Sequence, residues 1–344
     1  MSAVRSFNDF GRLEEIILGS ARGFAFPPSD VSLRHFFEPP AGHEHEQIPA
    51  ADLTRVVEEV EEDMHRLTEV LTGLGVKVRR PEPADHSRPI NMLEWATTAN
   101  HALMPRDCLL VMGENVIEAP MPMRARFAET FAFRKLLQEY FDSGANWFAA
   151  PKPQLTDETY AYDEKAVPVL GEREPLFDAA NIIRCGRDVF FNVSNTGNRF
   201  GAAWLGRVLG PQFQVHEISI CADHVGTTIH LLRPGVLLAN AGRLRPDDIP
   251  KPLRGWKTLW FDDPQDDGFG FSWPRASTWI AMNILSVSED TVIVPSLQTG
   301  LIRLLESAGF TTIPVPYRHG RTFGGGFHCC SLDVRRSGGL ESYL

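Results

Sequence analysis

The chain has 344 residues, 43% of them hydrophobic and 23% charged, with a formal net charge of −10. These proportions are ordinary for a soluble globular protein, and the acidic balance without a Lys/Arg cluster argues against a nucleic-acid partner. No run of about 18 apolar residues is present to span a membrane.

Five cysteines, Cys108, Cys185, Cys221, Cys329 and Cys330, are an odd count without regular spacing. They form no CxxC pair, so neither a disulfide framework nor a zinc-ligand set is indicated. The N-terminal residues lack the apolar core of a signal peptide. A reduced, cytoplasmic protein is expected.

Residues 12–19 read as a strand ending at Gly19, followed by a polar, Pro- and His-containing loop to about Ala50. Leu53, Val56, Val57, Val60, Met64, Leu67 and Leu71 then recur at helical spacing. Gly73 and Gly75 stop that helix, and Val76–Val78 forms a short strand before Pro81.

This helix–glycine–strand unit returns. Phe131 to Phe141, Gly144 and Trp147–Ala150 are a second copy, and Ala202 to Val208, Gly210 and Phe213–His216 a third. Pro252 to Gly255 with Lys257–Phe261 is a poor fourth, and Leu301 to Ala308, Gly309 and Thr311–Ile313 a fifth. Between the units lie paired apolar runs separated by turn residues, which read as hairpins. They span 108–118, 181–193 and 227–239, with a weaker pair around Ser288–Asp290. A fifth pair would join residues 330–335 to 12–19. Five such modules, without an intervening linker, predict a single closed α/β domain over 1–344 with approximate fivefold symmetry.

Equivalent positions in such a ring converge. Before the successive hairpins stand Asp107, Asp178, His224, Ser277 and Cys329. Each has an ordinary structural reading: Asp107 and Asp178 as turn residues, His224 as a satisfied polar group, Ser277 as a helix N-cap, Cys329 as a buried thiol. Their joint placement favours chemistry, because a thiol, an imidazole and carboxylates together form a nucleophilic constellation. The loop Gly324–Gly326 delivers His328, Cys329 and Cys330 to the start of the last strand. Alternation along a strand allows only one of the two cysteines to face the channel.

The motifs resemble the amidinotransferase family, which includes glycine and inosamine-phosphate amidinotransferases. The resemblance covers nearly the whole chain and rests on Met104–Asp107, Ile117–Met121, Arg124–Phe127, Ala150–Pro153, Phe177–Arg184, Arg233–Asn240, Ala276–Leu285 and Gly324–Cys329 through Leu332–Arg336. It implies the pentein fold, a fivefold pseudosymmetric α/β propeller of ββαβ modules. It also implies transfer of an amidino group from arginine to an amine without metal or organic cofactor, and often a homodimer. By motif, Cys329 corresponds to the nucleophile, His224 to the general acid/base and Asp178 to its carboxylate partner. Asp107 corresponds to a second guanidinium ligand, and Arg243 and Ser277 to contacts with the donor's amino-acid end.

One position departs from the pattern. The family's His-x-Asp is here His224-Val225-Gly226. A lost charged hydrogen bond, about 1.5–3 kcal/mol, would weaken arginine binding about ten- to a hundredfold. On an extended strand positions 224 and 226 share a face, so Gly226 is expected to leave a void in the channel and to set donor choice. A guanidine-modifying hydrolase of the same fold and a non-catalytic guanidine-binding protein are the competing readings.

Overall fold

The three clearest apolar pairs close as antiparallel hairpins: Leu109–Met112 with Asn115–Glu118, Ile182–Cys185 with Asp188–Asn192, and Ile229–Arg233 with Val236–Asn240. Most of their residues are buried, which is why they read as continuous apolar runs: both faces of each sheet are covered. The weaker pair forms as Leu285–Ser286 with Thr291–Pro295, and Ser331–Arg336 pairs with Leu13–Leu18. In every case a third strand joins parallel to the second. These are Lys77–Arg79, Asn146–Ala149, Gln214–Ile218, Lys257–Phe261 and Thr311–Val315. The structure, a computed structural model, describes residues 2–37, 50–268 and 274–344.

A parallel partner requires a crossover, and four of the five crossovers are helices: Ala50–Gly73, Arg134–Asp142, Arg199–Leu209 and Thr299–Ser307. The first buries Val56, Val60, Met64, Leu67 and Leu71 against Leu13, Ile16 and Leu18. In the fourth module only two 3₁₀ turns form, Pro246–Asp248 and Lys251–Leu253. Pro246, Pro250 and Pro252 each lack the N–H that a longer helix would use.

Among the described residues several elements lie outside the fivefold pattern. Two small hairpins pair Pro89–Asn91 with Ala96–Thr98 and Tyr160–Tyr162 with Pro168–Leu170. The stretch read as loop after Gly19 contains a short helix, Val31–Phe36, whose Asp30 side chain accepts from the Leu33 N–H; residues 38–49 of that stretch lie outside the described residues. Trp95, Leu155, Tyr160, Leu170 and Leu176 form a satellite cluster that packs Val31 and Phe36.

Buried charge ties the modules together. Asp333, on the last strand, accepts from Arg106, Arg184 and Arg336, which come from three stretches of the chain. Burial alone would raise the Asp333 carboxyl, but the charges of Arg106, Arg184 and Arg336 hold it well below the usual carboxylate range. Arg336 also donates to the Ser286 carbonyl at 2.8 Å, which brings in a further sheet. Among the described residues no helix is long and apolar enough to cross a membrane.

Candidate active site

A helical turn precedes the first strand of four modules. Asp107 lies in Pro105–Cys108; Asp178, His224 and Ser277 are the N-cap residues of Ala179–Asn181, Val225–Thr227 and Thr278–Met282. In the module that closes the ring, residues 327–330 make a turn before Ser331–Arg336. This shared geometry aims one residue from each module at the same place. Asp107, Asp178, His224, Ser277 and Cys329 all line one cleft of about 260 Å³, together with Arg243.

His224 Nε2 is 2.7 Å from Asp178 Oδ2, and its Nδ1 is 3.9 Å from Asp107 Oδ1. Burial alone would lower the imidazole, but the Asp107 charge, the Asp178 hydrogen bond and the contact with Cys329 raise it well above its ordinary value. The two carboxylates thus favour the charged imidazolium form of His224. Asp107 Oδ2 accepts from Arg126 Nη1 at 2.7 Å, while Arg126 also grips Glu129 at 2.5 and 2.8 Å. Burial pushes the Glu129 carboxyl up to about 7 against the pull of Arg126. The remaining oxygens, Asp107 Oδ1 and Asp178 Oδ1, are buried and accept no hydrogen bond among the described residues.

Cys329 and Cys330 do not alternate along a strand, since the strand begins only at Ser331. The turn separates them instead. Cys329 Sγ lies in the cleft and accepts a hydrogen bond from Asn283 Nδ2 at 3.2 Å. Asn283 Oδ1 in turn accepts from the N–H groups of Cys329 and Gly326, at 2.9 and 3.1 Å. Cys330 points into the core, with Sγ 2.8 Å from the Tyr317 hydroxyl and 3.5 Å from Met104 Sδ; burial raises this thiol well above its ordinary value. His328 turns away to pack edge-to-face on His230, 4.5 Å between ring centres.

Gly226 requires a correction. Val225–Thr227 is a 3₁₀ turn, not extended chain, so positions 224 and 226 do not share a face. Gly226 is buried and is absent from the cleft lining. A Cβ there would lie 2.9 Å from Asn283 Nδ2, closer than side chains normally approach. Gly326 meets Asn283 from another side, where a Cβ would lie 2.8 Å from Asn283 Cβ. Both glycines leave room for the Asn283 side chain.

Arg243 donates to Thr227 Oγ1 and Thr228 Oγ1 at 2.9 and 3.1 Å and lies 3.5 Å from Asp223. Ser277 is exposed at the cleft, and its side chain makes no capping hydrogen bond. Among the described residues one trio could share a metal ion: Asp107, His224 and Cys329, whose ligand atoms lie within 4.8 Å of one another. Arg126 and Asn283 had no role assigned from the sequence. Both lie inside quoted motifs, Arg124–Phe127 and Ala276–Leu285, so the strings flagged them without saying what they touch.

No protein-family model matches the chain. It is 44% identical over 346 residues to inosamine-phosphate amidinotransferase 1 of Streptomyces glaucescens, covering 100% of this chain and 99% of that one. It is 38% identical over 362 residues to the L-arginine:L-lysine amidinotransferase of Pseudomonas savastanoi pv. phaseolicola, covering 100% and 97%. It superposes on the solved inosamine-phosphate amidinotransferase of Streptomyces griseus with a TM-score of 0.94 and 42% identity over 100% and 99% of the two chains. With five matching three-stranded modules around one cleft and relatives matched along its full length, the chain belongs to the amidinotransferase family and carries its pentein fold.

Proposed function

We propose that the protein moves an amidino group from arginine, or a close guanidine variant, to an amine acceptor through a covalent intermediate on Cys329. The observation that carries this reading is the pair of buried oxygens, Asp107 Oδ1 and Asp178 Oδ1, that accept no hydrogen bond beside a thiol and an imidazolium. A guanidinium offers planar N–H donors that suit two carboxylates. Held so, its central carbon faces Cys329. Cys329 attacks as the thiolate, its proton lost beforehand, the C–N bond to the leaving amine breaks, and the His224 imidazolium gives that nitrogen its proton. Ornithine departs when arginine is the donor. The acceptor amine then attacks the amidino carbon, passes a proton to His224, and releases Cys329.

In this scheme Asn283 steadies the sulfur through its Nδ2–H, and Arg243 and Ser277 hold the donor's amino-acid end. Thr227 and Thr228 fix the Arg243 guanidinium in place. A cleft of about 260 Å³ is at the lower edge of small-ligand sites, roughly 300 Å³ and upward. That size favours one substrate at a time, as a ping-pong cycle requires. We further infer one domain over 1–344, a homodimer, and a place in specialised-metabolite biosynthesis. The five free cysteines suit a reducing cytoplasm.

The test is incubation with arginine, with and without a panel of amines. Ornithine release and a mass gain of one amidino group on Cys329 are expected. Citrulline as the main product would replace the transferase reading with a hydrolase.

A further inference from the structure

Apolar side chains line the cleft beside the reacting groups, among them Phe36, Phe37, Met104, Met123, Ile280 and Phe323. Phe36 ends the helix Val31–Phe36 and Phe37 caps it, so both come from an element outside the fivefold pattern. The two small hairpins lie outside that pattern as well, and all three elements meet in one satellite core. Ile90 and Trp95 come from one hairpin, Tyr160 and Leu170 from the other, Val31 and Phe36 from the helix.

The helix is tied to the site. Ser32 Oγ accepts from the Arg124 N–H at 3.2 Å, and Asp30 Oδ2 from Arg124 Nη1 at 3.4 Å. Arg124 also donates to the Leu155 carbonyl, from Nε at 2.9 Å and from Nη2 at 2.7 Å. It begins the 3₁₀ turn Arg124–Arg126, whose last residue holds Asp107 at 2.7 Å. Phe36 and Phe37 are therefore fixed in the same frame as that carboxylate. The Phe36 ring packs edge-on to Tyr160, with 6.5 Å between centres, and the Arg275 guanidinium lies 5.4 Å from the centre of Phe37.

Transfer has a competitor that the thiol, the imidazole and the carboxylates do nothing to discourage. After loading, the amidino-cysteine must last until an amine arrives, and water is far more concentrated than any amine. Water can add its oxygen to the amidino carbon, lose one proton to His224 and the other to the sulfur, and break the C–S bond. Urea then leaves, Cys329 is free again, and the amidino group is lost to transfer. Keeping bulk water out protects such an intermediate. Aromatic rings fill the space without offering water the polar partners it needs.

We propose that Phe36 and Phe37 keep water from the amidino-cysteine, so that the added helix and its satellite core set the choice between transfer and hydrolysis. This inference rests on the amidinotransfer reading above, and the experiment separates the two.

The amidino-enzyme is formed with arginine labelled at the guanidino carbon, and ornithine release and the mass of Cys329 are followed. The label is then traced into urea and, with hydroxylamine as a small probe amine, into hydroxyguanidine. Without an amine, wild type should release ornithine in a burst matched to Cys329 and form urea only slowly. Phe36→Ala combined with Phe37→Ala should raise the ratio of urea to hydroxyguanidine about ten- to a hundredfold, the scale of leaving a hydroxyl without its hydrogen bonds. Phe37→Ala alone should move the ratio the same way, and Phe37→Leu should restore most of it. A merely displaced thiol slows loading, hydrolysis and discharge to hydroxylamine together and leaves the ratio where it was; that result overturns the proposal. So does a wild type whose urea keeps pace with its ornithine. Where Phe36→Ala unfolds the satellite core, Phe37→Ala decides by itself, since Phe37 is not part of that core. A wild type that never gains an amidino mass on Cys329 sinks the transfer reading instead. The screen is then judged by oxidation of Cys329 with hydrogen peroxide, a probe close to water in size. Oxidation should be faster in Phe37→Ala than in wild type, and equal rates overturn the proposal.

Discussion

Replacing Asn283 should separate the assembly of the site from its chemistry. The side chain does two jobs at once. Its Oδ1 accepts from Gly326 N and Cys329 N, at 3.1 and 2.9 Å, and so shapes the turn. Its Nδ2 donates to Cys329 Sγ at 3.2 Å. Asn283→Ala removes both and leaves two buried N–H groups without their acceptor, each costing about 1–3 kcal/mol. A large fall in melting temperature is expected with the loss of rate. Asn283→Asp keeps the acceptor oxygen and removes the donor, so the turn should hold. The charged form of the sulfur then loses a hydrogen bond worth about 1.5–3 kcal/mol. At about 1.4 kcal/mol per factor of ten, formation of the amidino-enzyme should slow about ten- to a hundredfold, and the added negative charge deepens that loss. The assay is rapid-quench mass spectrometry of Cys329 beside a thermal melt of both variants. If Asn283→Asp loads at the wild-type rate, the contact with Cys329 Sγ has no part in the reaction and the reasoning fails.

Cys330→Ala should retain turnover, since Cys330 Sγ packs on Tyr317 and Met104 in the core, whereas Cys329→Ala should abolish it; an inactive but folded Cys330→Ala would reverse the assignment. In the proposed cycle His224 acts as an acid in the loading step, so that step should be active below its folded pKa and be lost as pH rises through it. Asp178→Asn removes a charged partner of the imidazolium, worth about 1.5–3 kcal/mol, and should move the alkaline limb of loading about 1–2 pH units toward acid. An unmoved limb in the pH–rate profile would show that Asp178 does not tune His224. Gly226→Ala places a methyl 2.9 Å from Asn283 Nδ2 and should slow loading about tenfold or more through a displaced Cys329, with the arginine KM little changed. A rise in arginine KM at unchanged kcat would instead return Gly226 to the donor pocket.

The modules were legible because each carries local signals: two apolar runs with a turn, a helical period, a glycine stop. The weakest signal, at Pro252, marks the one crossover where no α-helix forms. Convergence on the cleft followed from repetition alone, since equivalent places in equivalent modules meet. What escaped was set by contacts between residues far apart along the chain. Arg126 reaches Asp107 over 19 residues and Asn283 reaches Cys329 over 46, and no local period encodes either. The Gly226 expectation failed for a local reason: a strand was assumed where a 3₁₀ turn precedes the strand. The choice between Cys329 and Cys330 likewise rests on a turn rather than on alternation along a strand.

The strand Leu13–Leu18 is paired on one side with Ser331–Arg336, more than three hundred residues later. During synthesis the early strand must wait for nearly the whole chain with one edge unpaired, an exposed template for wrong partners. Pairing over such a separation is slow. Cys329 stands two residues before the late strand, so the thiol is delivered by the event that closes the ring. His224, Asp178 and Asp107 are made earlier and lie in modules with complete sheets of their own. In the proposed cycle the attacking thiol is therefore the last component of the site to be placed, after the carboxylates and the imidazole.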